Sequence, residues 1–416
     1  MRLPEIPRPL AWAFALGVLG RAAFALWLGD AVYQPDEGVY LSLARNIAEH
    51  GVFGVGAEPH AGHPPALPAF LAFFYALGGA GAARGAFAAL AASIPFLLYG
   101  YARRHFGPRA AALAGGAAAL YPIYVYWSGI MMTESLIAVL LLAAVWATEE
   151  LRSSPRSAAA YAGAGVLWGL AALTRSQVIP LPWLLAPLLL RAHGWRAALR
   201  PVALMLCVAA AFPGAWSLRN HQRFGVWAQD THAGYTLIIR VMFYEADHED
   251  TGLAHRSLAR TDIYRKAMAM GDVERDRYFA AEALRYIREN PATYARHCVG
   301  NFFEFWRLYP RTDKTVGVVP SALLGKKRAV FVVLALLTEP LFVLGGLVGL
   351  FLGLRAGLPV AVPAVVVGFT ALVHTLVIAQ MRYRVGVMAF VILFAALAAQ
   401  EAYRRFAPEG RGEGGA

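Results

Sequence analysis

The residues AWAFALGVLGRAAFALWLGDAVYQPDEGVY, at positions 11–40, decide the class of fold. An apolar run over 10–28 leads directly into a polar loop that carries two adjacent acids, Asp36 and Glu37. A helix needs about 20 apolar residues to cross a bilayer. We therefore expect the run to span a membrane and the acidic pair to lie at its surface. Arg21, inside the run, is a functional candidate because charged residues at membrane depth are costly.

The composition of the whole chain supports a membrane protein. The 416 residues are 58% hydrophobic and only 15% charged, whereas soluble proteins carry about 25% charged residues. The net charge of +12 does not indicate a nucleic-acid partner, because the basic residues stand singly or in pairs between apolar runs. These values exclude an ordinary cytosolic enzyme and a disordered chain.

Further apolar runs predict an all-α polytopic membrane protein with about ten or eleven transmembrane helices. Besides 10–28, the runs cover 86–102, 110–127, 135–148, 158–173, 177–190, 201–217, 329–353, 357–378 and 385–401. A stretch at 64–80 opens on two prolines, so it spans, re-enters or lies along the interface. If it does not cross, the arginine-bearing loops all fall on the side of the N-terminus, as the positive-inside rule requires. We therefore expect ten crossings, one non-crossing segment and cytoplasmic termini.

This topology divides the chain into four parts. A catalytic transmembrane module with external loops at 30–63 and 128–135 is followed by an external helical segment, C-terminal transmembrane helices and a disordered Gly-rich tail. The expected boundaries are 1–217, 218–327, 328–405 and 406–416. From Asp36 onward the first loop has apolar residues at helical spacing, which predicts an amphipathic helix in the membrane interface.

Acidic residues on the external face are the first candidates for chemistry. Asp36 and Glu37 open the amphipathic helix, and Glu134 lies at the external mouth between two apolar runs. The alternative for each is helix capping, since acids at a helix N-terminus favour its dipole. Two acidic sites on one face can also converge on one pocket. There they can act as a general base or as oxygen ligands for a divalent cation.

Basic residues are predicted on the same face. Arg175, Arg219, Arg382 and Arg384 lie at the ends of apolar runs, where the alternative is simple snorkelling to the interface. As a set, arginines that face acidic loops suit an anionic phosphate at the membrane surface. His63, directly before a Pro-Pro pair, adds a candidate donor or metal ligand, although a lone loop histidine is usually only a polar loop residue.

Six fragments, taken in order, resemble the GT-C class of membrane glycosyltransferases. They are PDEGVYLSLARNI, HPPALP, GIMMTESL, GLAALTRS, AWSLRNHQRFG and RYRVGVMAF. Their order and spacing are similar to those of the bacterial group that resembles protein mannosyltransferases and the aminoarabinose transferase of lipid A. The resemblance implies a GT-C fold, a polyprenyl-phosphate-linked sugar donor and chemistry at the external leaflet.

The resemblance also implies roles for single residues. Asp36 matches the first-loop acid that acts as catalytic base on the acceptor hydroxyl, and Glu37 is its partner. Glu134 matches the second-loop acid near the acceptor or a metal, and His63 stands near the donor phosphate. If a divalent cation (Mg²⁺, Mn²⁺ or Zn²⁺) takes part, its implied ligands are Asp36, Glu134 and His63.

The sequence thus predicts a multi-pass glycosyltransferase of the bacterial inner membrane, in contact with membrane lipids and active at the periplasmic face. A hexosyl or pentosyl group would pass to a hydroxyl of a lipid-linked glycan, a cell-envelope polymer or a protein, with Tyr40 and Tyr383 in the substrate pocket. One base without a covalent carboxylate predicts inversion. The alternatives are a polytopic transporter or lipid flippase, for which a second broken segment is missing from the sequence, and a non-catalytic scaffold.

Overall fold

The structure, a computed structural model, describes residues 7–56, 58–154, 156–249, 251–309 and 328–406, and these ranges are almost entirely helical. The predicted disordered tail from 407 onward, and 310–327 of the predicted external segment, lie outside the described residues.

The first apolar run and the acidic loop form two helices. They are α1, Arg8–Leu28, and α2, Pro35–His50, and the second is the helix expected in the first external loop. A two-residue antiparallel hairpin follows, in which β1, Gly54–Val55, pairs with β2, Glu58–Pro59.

The doubtful stretch 64–80 and the predicted span 86–102 belong to one bent helix, α3, Ala66–Phe106. The bend lies at Gly78 and Gly79, whose backbones are not helical. The half before the bend rises only about 18 Å, at 1.5 Å per residue, which is less than the thickness of a hydrocarbon core, about 30 Å. This length favours the prediction that the stretch does not cross the membrane.

In chain order the remaining helices are α4 Pro108–Leu120, α5 Pro122–Gly129, α6 Thr133–Ser153, α7 Ala158–Thr174, α8 Leu181–His193, α9 Trp195–Phe224, α10 Ala233–Met242, α11 Tyr244–Glu249, α12 Thr251–Ala259, α13 Asp262–Met268, α14 Asp272–Glu289, α15 Pro291–Phe305, α16 Arg328–Arg355, α17 Ala361–Leu376 and α18 Met388–Phe406. Three of them, α4, α5 and α15, begin on a proline, whose fixed φ and missing N–H suit the first helical position. Two 3₁₀ turns, Ser176–Val178 and Met381–Val387, precede α8 and α18.

Within the described residues, five helices are long and apolar enough to cross a membrane, and six if the bent pair α4 and α5 forms one span. The five are Arg8–Leu28, Ala66–Phe106, Trp195–Phe224, Phe331–Arg355 and Met381–Phe406. The other predicted spans form shorter helices, such as α7 and α17, or a more charged one, α6. The polytopic all-α fold is confirmed, and the count of ten or eleven crossings stays a prediction.

Two predicted boundaries differ from the helices that form. The boundary at 217 falls inside α9, because the polar residues 219–223 continue the helix until Gly225 caps it at a φ of 71°. The turn predicted at 128–135 shrinks to 130–132, between α5 and α6. The division into four parts otherwise stays a prediction.

The packing of these helices brings several polar ends together. α2 packs on α3, and α6 packs on α7 and on the turn Met381–Val387, which also contacts α17. The starts of α2 and α6 therefore meet the ends of α7 and α17 around one cavity.

Candidate active site

A cavity of about 270 Å³ collects most of the residues that the sequence singles out. Six predicted site residues line it: Asp36, Tyr40, Glu134, Arg175, Arg382 and Tyr383. The predicted convergence of the two acidic loops on one pocket, together with arginines, is present in the structure.

Asp36 is a cavity carboxylate that is not held by other protein groups in the described ranges. It lies in the first turn of α2, half-buried, and makes no hydrogen bond or ion pair with the described part of the chain. Its oxygens are therefore available to a molecule in the cavity.

Glu134, by contrast, is held in place. Its Oε1 accepts a hydrogen bond from Nη2 of Arg175 at 2.8 Å, and Nε of Arg175 donates to the hydroxyl of Thr133 at 2.9 Å. The Glu134 side chain is 1% exposed, and its Oε2 has no hydrogen-bond partner among the described residues. Oε1 thus fixes the start of α6 to the end of α7, while Oε2 is buried at the wall of the cavity.

The ring of Tyr383 lies between cations and an imidazole. The guanidinium carbons of Arg382 and Arg175 are 4.9 and 5.5 Å from its ring centroid. The ring of His374 stacks on it at 4.7 Å, almost parallel. Nη2 of Arg382 also donates to the Tyr383 hydroxyl at 3.1 Å. These contacts fix the turn Met381–Val387 so that Arg382 faces the cavity.

Tyr40 and an unpredicted acid, Asp230, complete the polar wall. Burial, followed by the charges of Asp36 and Glu134, raises the pKa of Tyr40, so its hydroxyl stays protonated as a donor. Burial also raises the pKa of Asp230, whose carboxylate accepts from the Ser176 hydroxyl at 3.4 Å.

Glu37 does not line the cavity. It is completely buried, and its Oε2 accepts from the backbone N–H of Tyr33 at 2.8 Å. Its Oε1 accepts from the N–H of Met131 at 3.1 Å and lies 3.3 Å from Nη2 of Arg84. Three partners saturate this carboxylate, so the geometry favours a role in joining the two external loops over the predicted role as catalytic partner.

Arg384 is also buried outside the cavity. Its Nη2 pairs with Oε2 of Glu339, and its Nη1 donates to the carbonyl of Phe305 at 2.7 Å. Oε1 of Glu339 accepts from the Tyr121 hydroxyl. With its charge compensated inside the bundle, Arg384 anchors the turn that carries Arg382 and has no open face for a phosphate.

Arg219 and His63 do not line the cavity, although the His63 ring contacts that of Tyr40, with ring centroids 5.2 Å apart. Nη1 of Arg219 donates to the carbonyl of His60 at 2.8 Å, and its guanidinium is 4.7 Å from the Trp216 ring centroid. Nδ1 of His63 is 2.8 Å from Nε2 of His60. Burial, reinforced by neighbouring His60 and His232, lowers the pKa of His63 to about 4. His63 is therefore neutral at pH 7 and supplies no charge to a phosphate.

The lowered pKa of His63 predicts that acid weakens the fold. Between pH 6.5 and about 4 the unfolded chain binds a proton that folded His63 does not, so stability falls as the pH falls through this window. The loss is at most about 1.4 kcal/mol per pH unit for one histidine. Thermal unfolding in detergent at pH 7 and pH 5 is expected to show a smaller pH effect for His63→Gln than for wild type. Equal effects in both proteins would contradict the prediction.

Sequence reasoning missed several residues of this region. His374 lines the cavity, with Nε2 3.0 Å from the amide nitrogen of Gln177, and Nδ1 2.8 Å from the carbonyl of Ile378. The sequence feature that could have identified His374 is a titratable residue inside an apolar run. Glu339 has the same feature. Asp230 carried no such signal, because it stands in a polar segment.

The predicted cation ligands do not form one set. Asp36 and Glu134 line the cavity, but His63 does not. In the described ranges no group of three or more His, Cys, Asp or Glu side chains is arranged to hold a metal ion. The carboxylates of Asp36 and Glu134 are the hard oxygen ligands that a divalent cation would use here, and dependence on a metal stays a prediction.

Comparison with known proteins agrees with this architecture. Residues 62–216 match the family model described as dolichyl-phosphate-mannose-protein mannosyltransferase. No curated protein matches the chain. The oligosaccharyltransferase of Archaeoglobus fulgidus, solved with a tethered acceptor peptide, is 14% identical with a TM-score of 0.51, over 96% of this chain and 50% of that one.

ArnT from Cupriavidus metallidurans, solved with undecaprenyl phosphate, is 17% identical with a TM-score of 0.45, over 97% of this chain and 80% of that one. Arabinosyltransferase EmbB from Mycobacterium smegmatis is 16% identical with a TM-score of 0.39, over 98% of this chain and 42% of that one. The protein is a multi-pass membrane protein with the GT-C fold, and the resemblance to GT-C glycosyltransferases predicted from the sequence is confirmed.

Proposed function

We propose that the protein is a membrane glycosyltransferase that moves a sugar from a polyprenyl-phosphate donor to a hydroxyl acceptor. The observation that carries the proposal is the cavity in which Asp36, which makes no hydrogen bond or ion pair with the described residues, lies with Arg382 and the fixed pair of Glu134 and Arg175. The matching family model, which is described by a dolichyl-phosphate sugar donor, supports this class of donor.

Asp36 acts as the general base in this proposal. Its carboxylate accepts the proton of the acceptor hydroxyl as that oxygen attacks the anomeric carbon and the bond to the phosphate oxygen breaks. The leaving lipid phosphate carries away the electron pair and needs no protonation. Because Glu134 is tied to Arg175 and Glu37 lies outside the cavity, a covalent sugar intermediate is not expected, and the product is inverted at the anomeric carbon.

Arg382 and Arg175 hold the donor phosphate. Both guanidiniums line the cavity, and charge develops on the phosphate oxygens as the sugar leaves. Arg175 is already paired with Glu134, whereas the hydrogen bond of Arg382 goes to a neutral hydroxyl. Arg382 is thus the stronger candidate for the leaving phosphate.

The polyprenyl tail lies in a long apolar groove of about 880 Å³. The groove runs between α15, α16, α17 and α18 and is lined by aromatic and branched side chains such as Phe302, Trp306 and Leu347. The ring of Phe305 stacks on His374 at 5.6 Å, and His374 lines the polar cavity. The chain neighbours of Phe305, Glu304 and Trp306, line the groove, so the groove lies close to the cavity that would hold the lipid phosphate.

The predicted topology and the resemblance of the sequence fragments to GT-C glycosyltransferases support the proposed acceptor and membrane. The acceptor is a hydroxyl of a lipid-linked glycan, a cell-envelope polymer or a protein, reached from the periplasmic face of a bacterial inner membrane. The test is transfer of label from a panel of radiolabelled polyprenyl-phosphate hexoses and pentoses in membranes that contain the protein. Label that stays on the polyprenyl carrier with every donor would overturn the proposal.

Replacing Arg382 by Gln is expected to weaken use of the donor. Loss of one charge-assisted hydrogen bond to the phosphate corresponds to roughly a 10- to 100-fold fall in kcat/KM for the donor. Arg219→Gln is the matched control, because Arg219 does not line the cavity. Steady-state transfer with varied donor checks both, and an unchanged kcat/KM in Arg382→Gln would contradict the assignment.

A further inference from the structure

A second groove lies between α1 and the second half of α3, two helices able to cross a membrane. Its volume is about 520 Å³, and its walls are mostly small residues such as Ala22, Ala25, Gly85 and Ala89. On the α1 side it reaches from Val18 past the end of the helix, a rise of about 16 Å. The groove is therefore elongated, parallel to two helices that the bilayer surrounds, and wide enough for part of a lipid chain.

Arg21 lines this groove and is 1% exposed. Its Nη1 donates to the carbonyls of Gly17 and Ala119, each at 2.9 Å, and its Nη2 donates to Ala118 at 3.2 Å. The Ala118 carbonyl lacks its usual helical donor, because that donor would be the nitrogen of Pro122. Arg21 thus caps the broken end of α4, but carbonyls supply no negative charge, and its Nε has no partner among the described residues.

Arg84 lines the same groove from α3 and is also 1% exposed. Its Nη1 donates to the Gly129 carbonyl at 2.8 Å, and its Nη2 donates to Ala31 and lies 3.3 Å from Glu37. Its Nε, like that of Arg21, has no partner in the described ranges. Two buried guanidiniums that line one groove therefore each keep a donor without a partner in the described ranges, and Glu37 is ion-paired with Arg84 alone.

The charges of the residues that line the groove indicate which kind of ligand it binds. Glu37 balances the charge of Arg84, but no carboxylate among the described residues is ion-paired with Arg21. A cation at membrane depth is costly without an anion, and guanidinium N–H groups bind phosphate oxygens well. At the outer end of the groove the exposed carboxylate of Asp30 is an acceptor, so the part of the ligand beyond the phosphate must carry a donor. An anionic glycerophospholipid with hydroxyls on its headgroup meets all three conditions.

We propose that this groove is a binding site for such a phospholipid. The guanidiniums of Arg21 and Arg84 bind the phosphate, Asp30 accepts from a headgroup hydroxyl, and an acyl chain lies along the small residues. The site is independent of the sugar-transfer reaction, although its Arg84 also holds Glu37, the neighbour of Asp36.

The test uses the full chain in nanodiscs that contain photoactivatable phosphatidylglycerol or, in separate samples, photoactivatable phosphatidylcholine. Cross-linked peptides are mapped by mass spectrometry. Phosphatidylglycerol is expected to label 18–26 and 81–92 roughly tenfold more than phosphatidylcholine, the effect of a charge-assisted contact. Equal labelling by both lipids would overturn the proposal, because it would show contact with bulk acyl chains only.

Variants locate the site. A Cβ at Gly85 would meet no atom within 4 Å, so Gly85→Leu fills the groove without a clash and is expected to abolish the preference for phosphatidylglycerol. Gly163→Leu is the matched control, since Gly163 has equally open surroundings on α7 and lies outside the groove. Ala89→Leu, on the exposed side of the groove, serves if Gly85→Leu does not fold. A preference that survives groove filling would also overturn the proposal.

Discussion

Replacing Asp36 by Asn is expected to stop sugar transfer while leaving the protein folded. The amide keeps the size of the side chain but cannot accept a proton, and general-base catalysis contributes roughly 10²–10⁴-fold to rate. Because Asp36 makes no hydrogen bond with the described residues, the substitution breaks no internal contact. The expected result is a fall of that size in kcat, with the KM for the donor little changed.

Two other acids decide whether Asp36 is the base. Glu49→Gln, in the same helix, removes an exposed carboxylate paired with Arg45 and is expected to leave turnover unchanged. Asp230→Asn probes a cavity carboxylate that is not ion-paired with an arginine in the described ranges, and whose pKa burial raises. Full activity in Asp36→Asn, with loss in Asp230→Asn, would transfer the role of base to Asp230.

Replacing Arg384 by Leu is expected to destabilise the protein by about 3–5 kcal/mol, the usual cost of leaving one partner of a buried ion pair alone. Glu339 would keep only the Tyr121 hydroxyl as partner, and the Phe305 carbonyl would lose its donor. Transfer should fall as well, since Arg384 anchors the turn that presents Arg382. Thermal unfolding in detergent measures the first effect, and the transfer assay measures the second.

A double variant separates charge from packing. Arg384→Leu combined with Glu339→Leu removes both charges and is expected to recover most of the lost stability. Arg45→Leu, which breaks an exposed pair, should leave the unfolding temperature unchanged. A double variant as unstable as Arg384→Leu alone would show that the loss comes from packing and not from an isolated charge.

The convergence of Asp36, Glu134, Arg175 and Arg382 was predictable from the sequence. Each residue lies near the end of an apolar run. The number of predicted crossings between these ends places all of them on the same side of the membrane. The GT-C fold followed from the same runs together with the order of the six fragments. Both predictions depend on the polarity pattern along the chain, which the bilayer enforces.

The difference between neighbouring residues was not predictable. Glu37 follows Asp36, but about 100° of rotation in a helix separates the two side chains, and only one can face the cavity. Which one does so depends on Arg84, which holds Glu37 away from the cavity. Arg84 lies 47 positions after Glu37 in the sequence, just before a predicted span. The same holds for Arg382 and Arg384, because the buried partner Glu339 belongs to a distant apolar run.

The glycine break in α3 separates the registers of its two halves. In a continuous helix, one inserted residue rotates everything beyond it by about 100°. Gly79, at a φ of 70°, interrupts that rotation. The half before the break and the half that carries Arg84 can therefore change in length independently, without turning each other's faces away from their partners.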